Sequence, residues 1–213
     1  MNGDNISTIQ GYDEDRYDLL HTEKKEKIRH IILKCLFWII SVPLVIMAAF
    51  FLCNKMIKKT VMTGSSMAPT LADGDKIIIN TLSYRLSSPK RFDVIVIKRE
   101  DGEHSQVDVK RIYGLPGEEI QIISGEIYIN GKVLQEEIAV EPMMLAGIAA
   151  DPVKLSEGQY FVLADDRNHS EDSRYSGYGL VKKKDIIGKA WIRTNEFGFI
   201  NKLNRAENKK EEK

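Results

Sequence analysis

A chain of 213 residues is long enough for one globular domain of about 150 residues with appendages. Its 31 Lys and Arg balance 31 Asp and Glu, so no surplus of either sign marks it for nucleic acid or for an acidic partner. Two cysteines, Cys35 and Cys53, stand 18 positions apart, roughly 27 Å along a helix and too far to bridge, so the chain beyond them folds without disulfides.

In chain order, residues 1–22 are polar, mixed in charge and aperiodic, and are expected to be a disordered tail. Residues 35–53, CLFWIISVPLVIMAAFFLC, carry no charge and are mostly apolar, enough for about 28 Å of helix and a bilayer crossing. Pro43 is tolerated in such a helix. A cleavable secretory signal fits less well, because 34 mostly polar residues precede the run. Arg16, Lys24, Lys25, Lys27, Arg29 and Lys34 flank the run on its N-terminal side, against Lys55, Lys58 and Lys59 after it. That bias predicts a cytoplasmic N-terminus. The expected organisation is a cytoplasmic tail over 1–30, a transmembrane helix over 31–54, an extracytoplasmic domain over 55–200 and a charged tail over 201–213.

Beyond the span, short runs rich in β-branched and aromatic residues alternate with turn residues. Strands are expected at Lys76 to Ile79, Asp93 to Ile97, Val107 to Tyr113, Ile120 to Ile123, Glu126 to Ile129, Gln159 to Leu163 and Gly188 to Arg193. Asn130-Gly131 between Ile-Tyr-Ile and Lys-Val-Leu predicts a tight hairpin. The fold class is mainly β, an antiparallel β-sheet or barrel-like domain after one N-terminal transmembrane helix. Residues 135–157, richer in Ala, Met and Pro, break the rhythm and look like an insertion or a loop packed on the sheet. His21, His30, His104 and His169 are scattered, and no Cys/His spacing points to zinc, so neither metal nor cofactor is expected.

Two stretches carry candidate chemistry. Gly64-Ser65-Ser66-Met67-Ala68-Pro69-Thr70-Leu71 offers a serine on a turn, and Val107-Asp108-Val109-Lys110-Arg111 offers a lysine in a strand. A serine hydroxyl needs a neighbouring base before it attacks. A lysine serves only when neutral, which at its ordinary pKa is about 0.04% of molecules at pH 7; apolar burial raises that fraction. Strand alternation puts Lys110 on one face with Asp108 and Ile112. Alone, Ser66 could cap a turn, and Lys110 could lay its stem over its neighbours at the surface.

A third stretch, Leu163-Ala164-Asp165-Asp166-Arg167-Asn168-His169-Ser170-Glu171-Asp172-Ser173-Arg174, follows. In this order behind one span, and with Asp73-Gly74-Asp75, Gly114-Leu115-Pro116-Gly117, Tyr128-Ile129-Asn130-Gly131 and Ile187-Gly188-Lys189-Ala190, the chain resembles the bacterial type I signal peptidases over residues 60–194. The resemblance implies a membrane-bound serine endopeptidase that removes signal peptides from exported preproteins at the bilayer surface. It makes Ser66 the nucleophile, Lys110 the general base and Ser170 the hydroxyl that orients the amine. Asp172 and Arg174 become a supporting ion pair, Ser173 a residue lining the site, and the Ser66 N–H an oxyanion donor. Met67, with Met62 and Leu71, is a candidate contact to substrate or membrane. Some relatives carry a serine where this chain has Gly64, and the family usually has Gly-Asp-Asn where Ala164-Asp165-Asp166 stand. Phe92 replaces a usual glycine and Glu118 a usual aspartate. Ala164 would oppose a left-handed backbone, and Asp166 would add a negative charge near the lysine. The alternative reading is a non-catalytic membrane-anchored assembly factor of the same fold; a self-cleaving Ser–Lys regulator fits less well, since a span is present and no DNA-binding segment is recognisable.

Overall fold

The structure, a computed structural model, describes residues 25, 29–51, 56–101, 104–136, 138 and 140–202. The N-terminal tail, the end of the expected span with Cys53, and the charged tail beyond 202 lie outside the described residues. Two units separate after Cys53. The first contains helix α1, Arg29–Phe51, 23 residues long. Its apolar side chains, Phe37, Trp38, Ile39, Ile40 and Phe50 among them, are uncovered by protein. An all-round apolar helix of this length matches the thickness of a bilayer core.

The second unit is antiparallel β. Its elements are β1 (Ile57–Val61), β2 (Lys76–Asn80), α2 (Ser83–Leu86), β3 (Val94–Asp101), β4 (His104–Gly114), β5 (Glu119–Ile123), β6 (Glu126–Ile129) and β7 (Lys132–Val133). Then come β8 (Val153–Lys154), β9 (Gln159–Leu163), β10 (Val181–Lys182), β11 (Ile186–Arg193) and β12 (Gly198–Phe199). One sheet runs β1-β2-β11-β3-β4-β9-β10, with β12 paired to β11; a smaller one runs β7-β6-β5-β8.

Strand β3 explains the large sheet's construction. Val94, Ile95, Val96 and Ile97 are all buried, and alternation sends them to opposite faces. Val94 and Val96 join a core with Met67, Leu71, Ile77, Ile79, Val109 and Ala190. Ile95 and Ile97 join another with Ile112, Tyr160, Val162 and Val181. Burying each such side chain contributes about 1.5–3 kcal/mol, so a strand apolar on both faces is stable only with a packed layer on each side.

The smaller sheet is built from two-residue hairpins. Asn130 and Gly131 have φ of 50° and 76°, the paired left-handed conformation of a type I′ turn. Ser124 and Gly125 (φ 51° and 83°) close the β5–β6 hairpin the same way. The stretch 135–157 adds β8 to the edge of this sheet, with Val153 opposite Ile120, and buries Met143, Ala149 and Leu155 in its core.

Candidate active site

Ser66 sits in the loop between β1 and β2. The loop is pinched at its base, where the Met62 and Asp75 backbones join: Met62 N–H donates to the Asp75 carbonyl at 2.8 Å and Gly74 N–H to that of Met62 at 2.9 Å. Gly64 has φ of 78° and donates its N–H to Asp73 Oδ1 at 2.7 Å. That left-handed backbone accounts for glycine at this position, because a serine would be strained there. After Ser66 the chain turns, with Ala68 N–H on the Ser65 carbonyl and Leu71 N–H on that of Met67, each at 2.8 Å.

Met67 and Leu71 anchor this turn from below. Both are fully buried, and Met62 is nearly so. Met67, named as a candidate contact to substrate or membrane, is turned inward here, where its volume fills the core between β2, β3 and β4.

Lys110 projects from β4, opposite Ile95 of β3. It is 5% exposed. Burial pushes its pKa below the usual lysine range, opposed by the carboxylates of Asp108, Asp172 and Glu171 and aided by the Arg99 guanidinium. Lys110 shares one cavity of about 300 Å³ with Ser66 and Ser170. Arg99, Asp108, Tyr178, His169 and Glu171 also line it. Among the described residues, the Ser66 N–H makes no backbone hydrogen bond, which leaves it available to a ligand atom.

A second layer fixes the loops that carry these groups. Arg111, the residue after Lys110, is buried and grips Asp165 through two hydrogen bonds, Nε to Oδ1 at 2.9 Å and Nη2 to Oδ2 at 2.6 Å. It also donates to the Phe92 carbonyl at 3.1 Å and to the Thr70 hydroxyl at 3.3 Å, while Thr70 donates to Asp165. Next in the chain, Asp166 donates its N–H to the Ser66 carbonyl at 3.1 Å. The Ser66 turn, the Lys110 strand and the 165–174 loop thus meet on one ion pair.

Asp172 and Arg174 form a buried pair, Oδ1 to Nε 2.8 Å and Oδ2 to Nη2 2.9 Å. Asp172 also accepts the N–H groups of Ala164 (3.0 Å) and Arg174 (3.1 Å). Ser173 is fully buried. Its hydroxyl accepts the Val162 N–H at 3.0 Å and its own N–H donates to the Val162 carbonyl at 3.1 Å, so it splices the loop to β9.

The departures from the family pattern also find physical explanations. Phe92 has φ of 66°, the conformation a glycine would favour; its ring packs edge-on against Tyr113 at 5.5 Å, which offsets the strain. Ala164 is buried and is not among the residues of positive φ, so a Cβ is harmless there. Glu118 accepts the Leu115 N–H at 2.8 Å and pairs with Arg91, closing the 114–117 turn. Asp166 is engaged by His169, whose Nδ1 lies 2.9 Å from Oδ1, and the principal carboxylates acting on Lys110 are others. Sequence reasoning missed Arg99, Tyr178 and His169 as cavity residues. The signal for Arg99 was the β3–β4 register, which a single strand cannot reveal.

Comparison with known proteins gives matches over the same region. A family profile described as "Signal peptidase, peptidase S26" matches residues 35–194. The "Probable signal peptidase I-2" of a Synechocystis strain is 41% identical over 134 residues, 61% of this chain and 59% of the relative. "Signal peptidase I" of Bacillus licheniformis is 33% identical over 171 residues, 76% of this chain and 87% of the relative. "Signal peptidase I T" of Bacillus subtilis is 34% identical over 171 residues, 76% and 84% respectively. The chain therefore spans less than two thirds of the cyanobacterial relative's length and more than four fifths of either Bacillus one.

Proposed function

We propose a function from one premise: the chain belongs to the signal peptidase family, peptidase S26. It is a membrane-anchored endopeptidase that cleaves signal peptides from exported preproteins. Ser66 is the nucleophile and Lys110 the general base. The observation that carries this reading is the cavity that Ser66 shares with a lysine only 5% exposed.

Burial supplies what the chemistry needs. A neutral Nζ takes the Ser66 hydroxyl proton as Oγ attacks the scissile carbonyl. The tetrahedral oxyanion is held by the Ser66 N–H; loss of such a donor costs about 2.7–4 kcal/mol. Lys110 then returns the proton to the leaving amine, and water resolves the acyl-enzyme by the reverse use of the same base. Ser170, in the same cavity, orients the amine, while the Asp172–Arg174 pair stiffens its loop.

Substrate docking follows from an open edge. β4 pairs with β3 from His104 to Arg111, but β9 joins its other side only from Arg111 onward. Among the described residues, the backbone of 107–110 has no strand partner on the side away from β3, and an extended peptide would add there as a strand. The bilayer is the second partner, through α1, with the N-terminus cytoplasmic and the β domain outside. The residues that act are those of 55–200.

The test is cleavage of a model preprotein by the detergent-solubilised full chain. Wild type is expected to release mature protein, and Ser66→Ala and Lys110→Ala to fall to background. Intact preprotein with wild type, where a related peptidase cleaves it, would sink the proposal; a cellular role that survives Ser66→Ala would favour a non-catalytic assembly factor.

A further inference from the structure

The lysine's strand faces an arrangement that the dyad alone does not explain. Arg99, Ile97 and Ile95 of β3 lie opposite Gln106, Asp108 and Lys110 of β4, so all six share one face of the sheet. Asp108 stands between two cations: Lys110 two residues on along its own strand, and Arg99 diagonally across from it. A diagonal neighbour is about 7–8 Å away at the backbone, within reach of an arginine. The contact is made: Arg99 Nη1 lies 3.4 Å from Asp108 Oδ2. Arg99 also lies over the Tyr178 ring, its Cζ 4.2 Å from the centroid, while Lys110 Nζ is 5.9 Å from the same ring centroid. All four residues line the cavity that holds Ser66.

Competition for the carboxylate decides which lysine is present. An Asp108 paired to Lys110 would hold it as ammonium, which cannot take a proton. The other groups around the lysine do not compete in this way. Asp172 has both oxygens bound by Arg174 and by two backbone N–H groups. Glu171 is exposed to solvent, and His169 is bound to Asp166. Tyr178 turns its buried hydroxyl toward Asp108, and burial together with that carboxylate raises its pKa, so it stays neutral and cannot cancel the Asp108 charge. Among the described residues, Asp108 is the carboxylate acting most strongly on Lys110, and Arg99 is the cation paired with it.

We propose that Arg99 is a positioning residue for the general base: pinned on Tyr178, it draws the Asp108 carboxylate toward itself and away from Lys110. The proposal rests on Lys110 being the base. Asp108 is the strongest charge acting to protonate the lysine and Arg99 acts the other way, in agreement with the geometry. Arg99 therefore acts mainly through Asp108, and its importance vanishes once Asp108 is neutral.

The experiment is a two-by-two comparison of Arg99→Gln, Asp108→Asn and the double variant in the detergent-solubilised full chain. It reads kcat/KM on a model preprotein from about pH 6 to 10, whose rising limb reports the free base. Arg99→Gln is expected to move the limb to higher pH and to lower kcat/KM on the limb by roughly three- to tenfold, with the alkaline plateau retained. Asp108→Asn is expected to move it to lower pH. Adding Arg99→Gln to Asp108→Asn is expected to change the limb little. An unmoved limb in Arg99→Gln overturns the proposal, as does an equal Arg99→Gln shift in both backgrounds, which would make Arg99 a direct electrostatic neighbour only. A second readout needs no turnover: the pH dependence of Lys110 modification by an amine-directed reagent, followed by peptide mass, is expected to shift in the same order. If wild type cleaves nothing yet the labelling shifts as stated, the enzymatic reading fails and the Arg99–Asp108 competition stands. If cleavage occurs with a limb lost in Lys110→Ala but unmoved in Arg99→Gln, the reverse holds.

Discussion

Asp165→Asn isolates the ion pair on which the site's three segments meet. The substitution keeps shape and one acceptor but removes the charge facing Arg111. The side chains of Arg111 and Asp165 are 1% and 0% exposed, so no water can take over the lost interaction. Arg111 would keep only neutral partners, the remaining amide oxygen, the Phe92 carbonyl and the Thr70 hydroxyl. Removing one partner of a buried, hydrogen-bonded pair costs about 3–5 kcal/mol, because the remaining charge stays buried. For a chain of this size about 2–4 °C of Tm accompanies each kcal/mol, so the expected drop is roughly 6–20 °C. Thermal unfolding of the full chain in detergent, followed by near-ultraviolet circular dichroism, reads the packed aromatic side chains of the β domain above the contribution of Trp38 in α1. A companion variant, Arg111→Met with Asp165→Leu, removes both charges and is expected to recover much of the loss, since an apolar replacement avoids desolvating ions. Activity measured well below the transition should still fall in Asp165→Asn, because Asp166 N–H, one residue on, holds the Ser66 carbonyl. A Tm within about 2 °C of wild type, or a double variant worse than the single one, would refute the argument that this pair acts as a frame.

Two further outcomes follow from the same geometry. Gly147 has φ of 57°, and a Cβ there would meet the Arg174 carbonyl oxygen at 2.1 Å, whereas Gly131, with φ of 76°, opens on empty space. Both Gly→Ala changes carry about 1–2 kcal/mol of left-handed strain; Gly147→Ala should also displace Arg174 and so destabilise distinctly more, and equal Tm losses would show that the contact yields freely. Lys110→Met tests burial of the base. A lysine whose folded pKa is lowered binds fewer protons than in the unfolded chain, so wild type gains stability as pH rises through that folded value towards the ordinary 10.4, by at most about 1.4 kcal/mol per pH unit. The methionine variant is expected to be inactive, more stable than wild type near pH 7, and to lose that advantage as pH approaches 10; parallel stability profiles in denaturant titrations would contradict the burial.

What could be read from the chain divides along the reach of local rules. The β-branched runs and the Asn130-Gly131 turn report on their own backbones, so β6, β7 and β9 fall where the pattern puts them. Asp108 was also legible in part, because period-two alternation alone sets it on the face of Lys110. The contrast with Asp166 is instructive. Both acids lie near the proposed dyad in space, and a charge count treats them alike. Asp166, however, sits in a turn that returns three residues later to offer His169, while Asp108 sits on a straight strand where the next side chain on its face is the lysine itself. Local geometry therefore gives one acid a partner from its own turn and leaves the other to be handled by a residue from a different strand. That residue, Arg99, is set by the β3–β4 register, and register is a property of two strands that neither encodes alone. Met67 and Ser173 escaped for a related reason: each belongs to a motif by position, yet its side chain is turned inward by a loop whose path depends on distant anchors, Asp75 for the first and Val162 for the second. Membership in a motif thus identifies which segments meet, whereas the direction of each side chain, and with it the protonation state available to Lys110, is decided by the pairings between them.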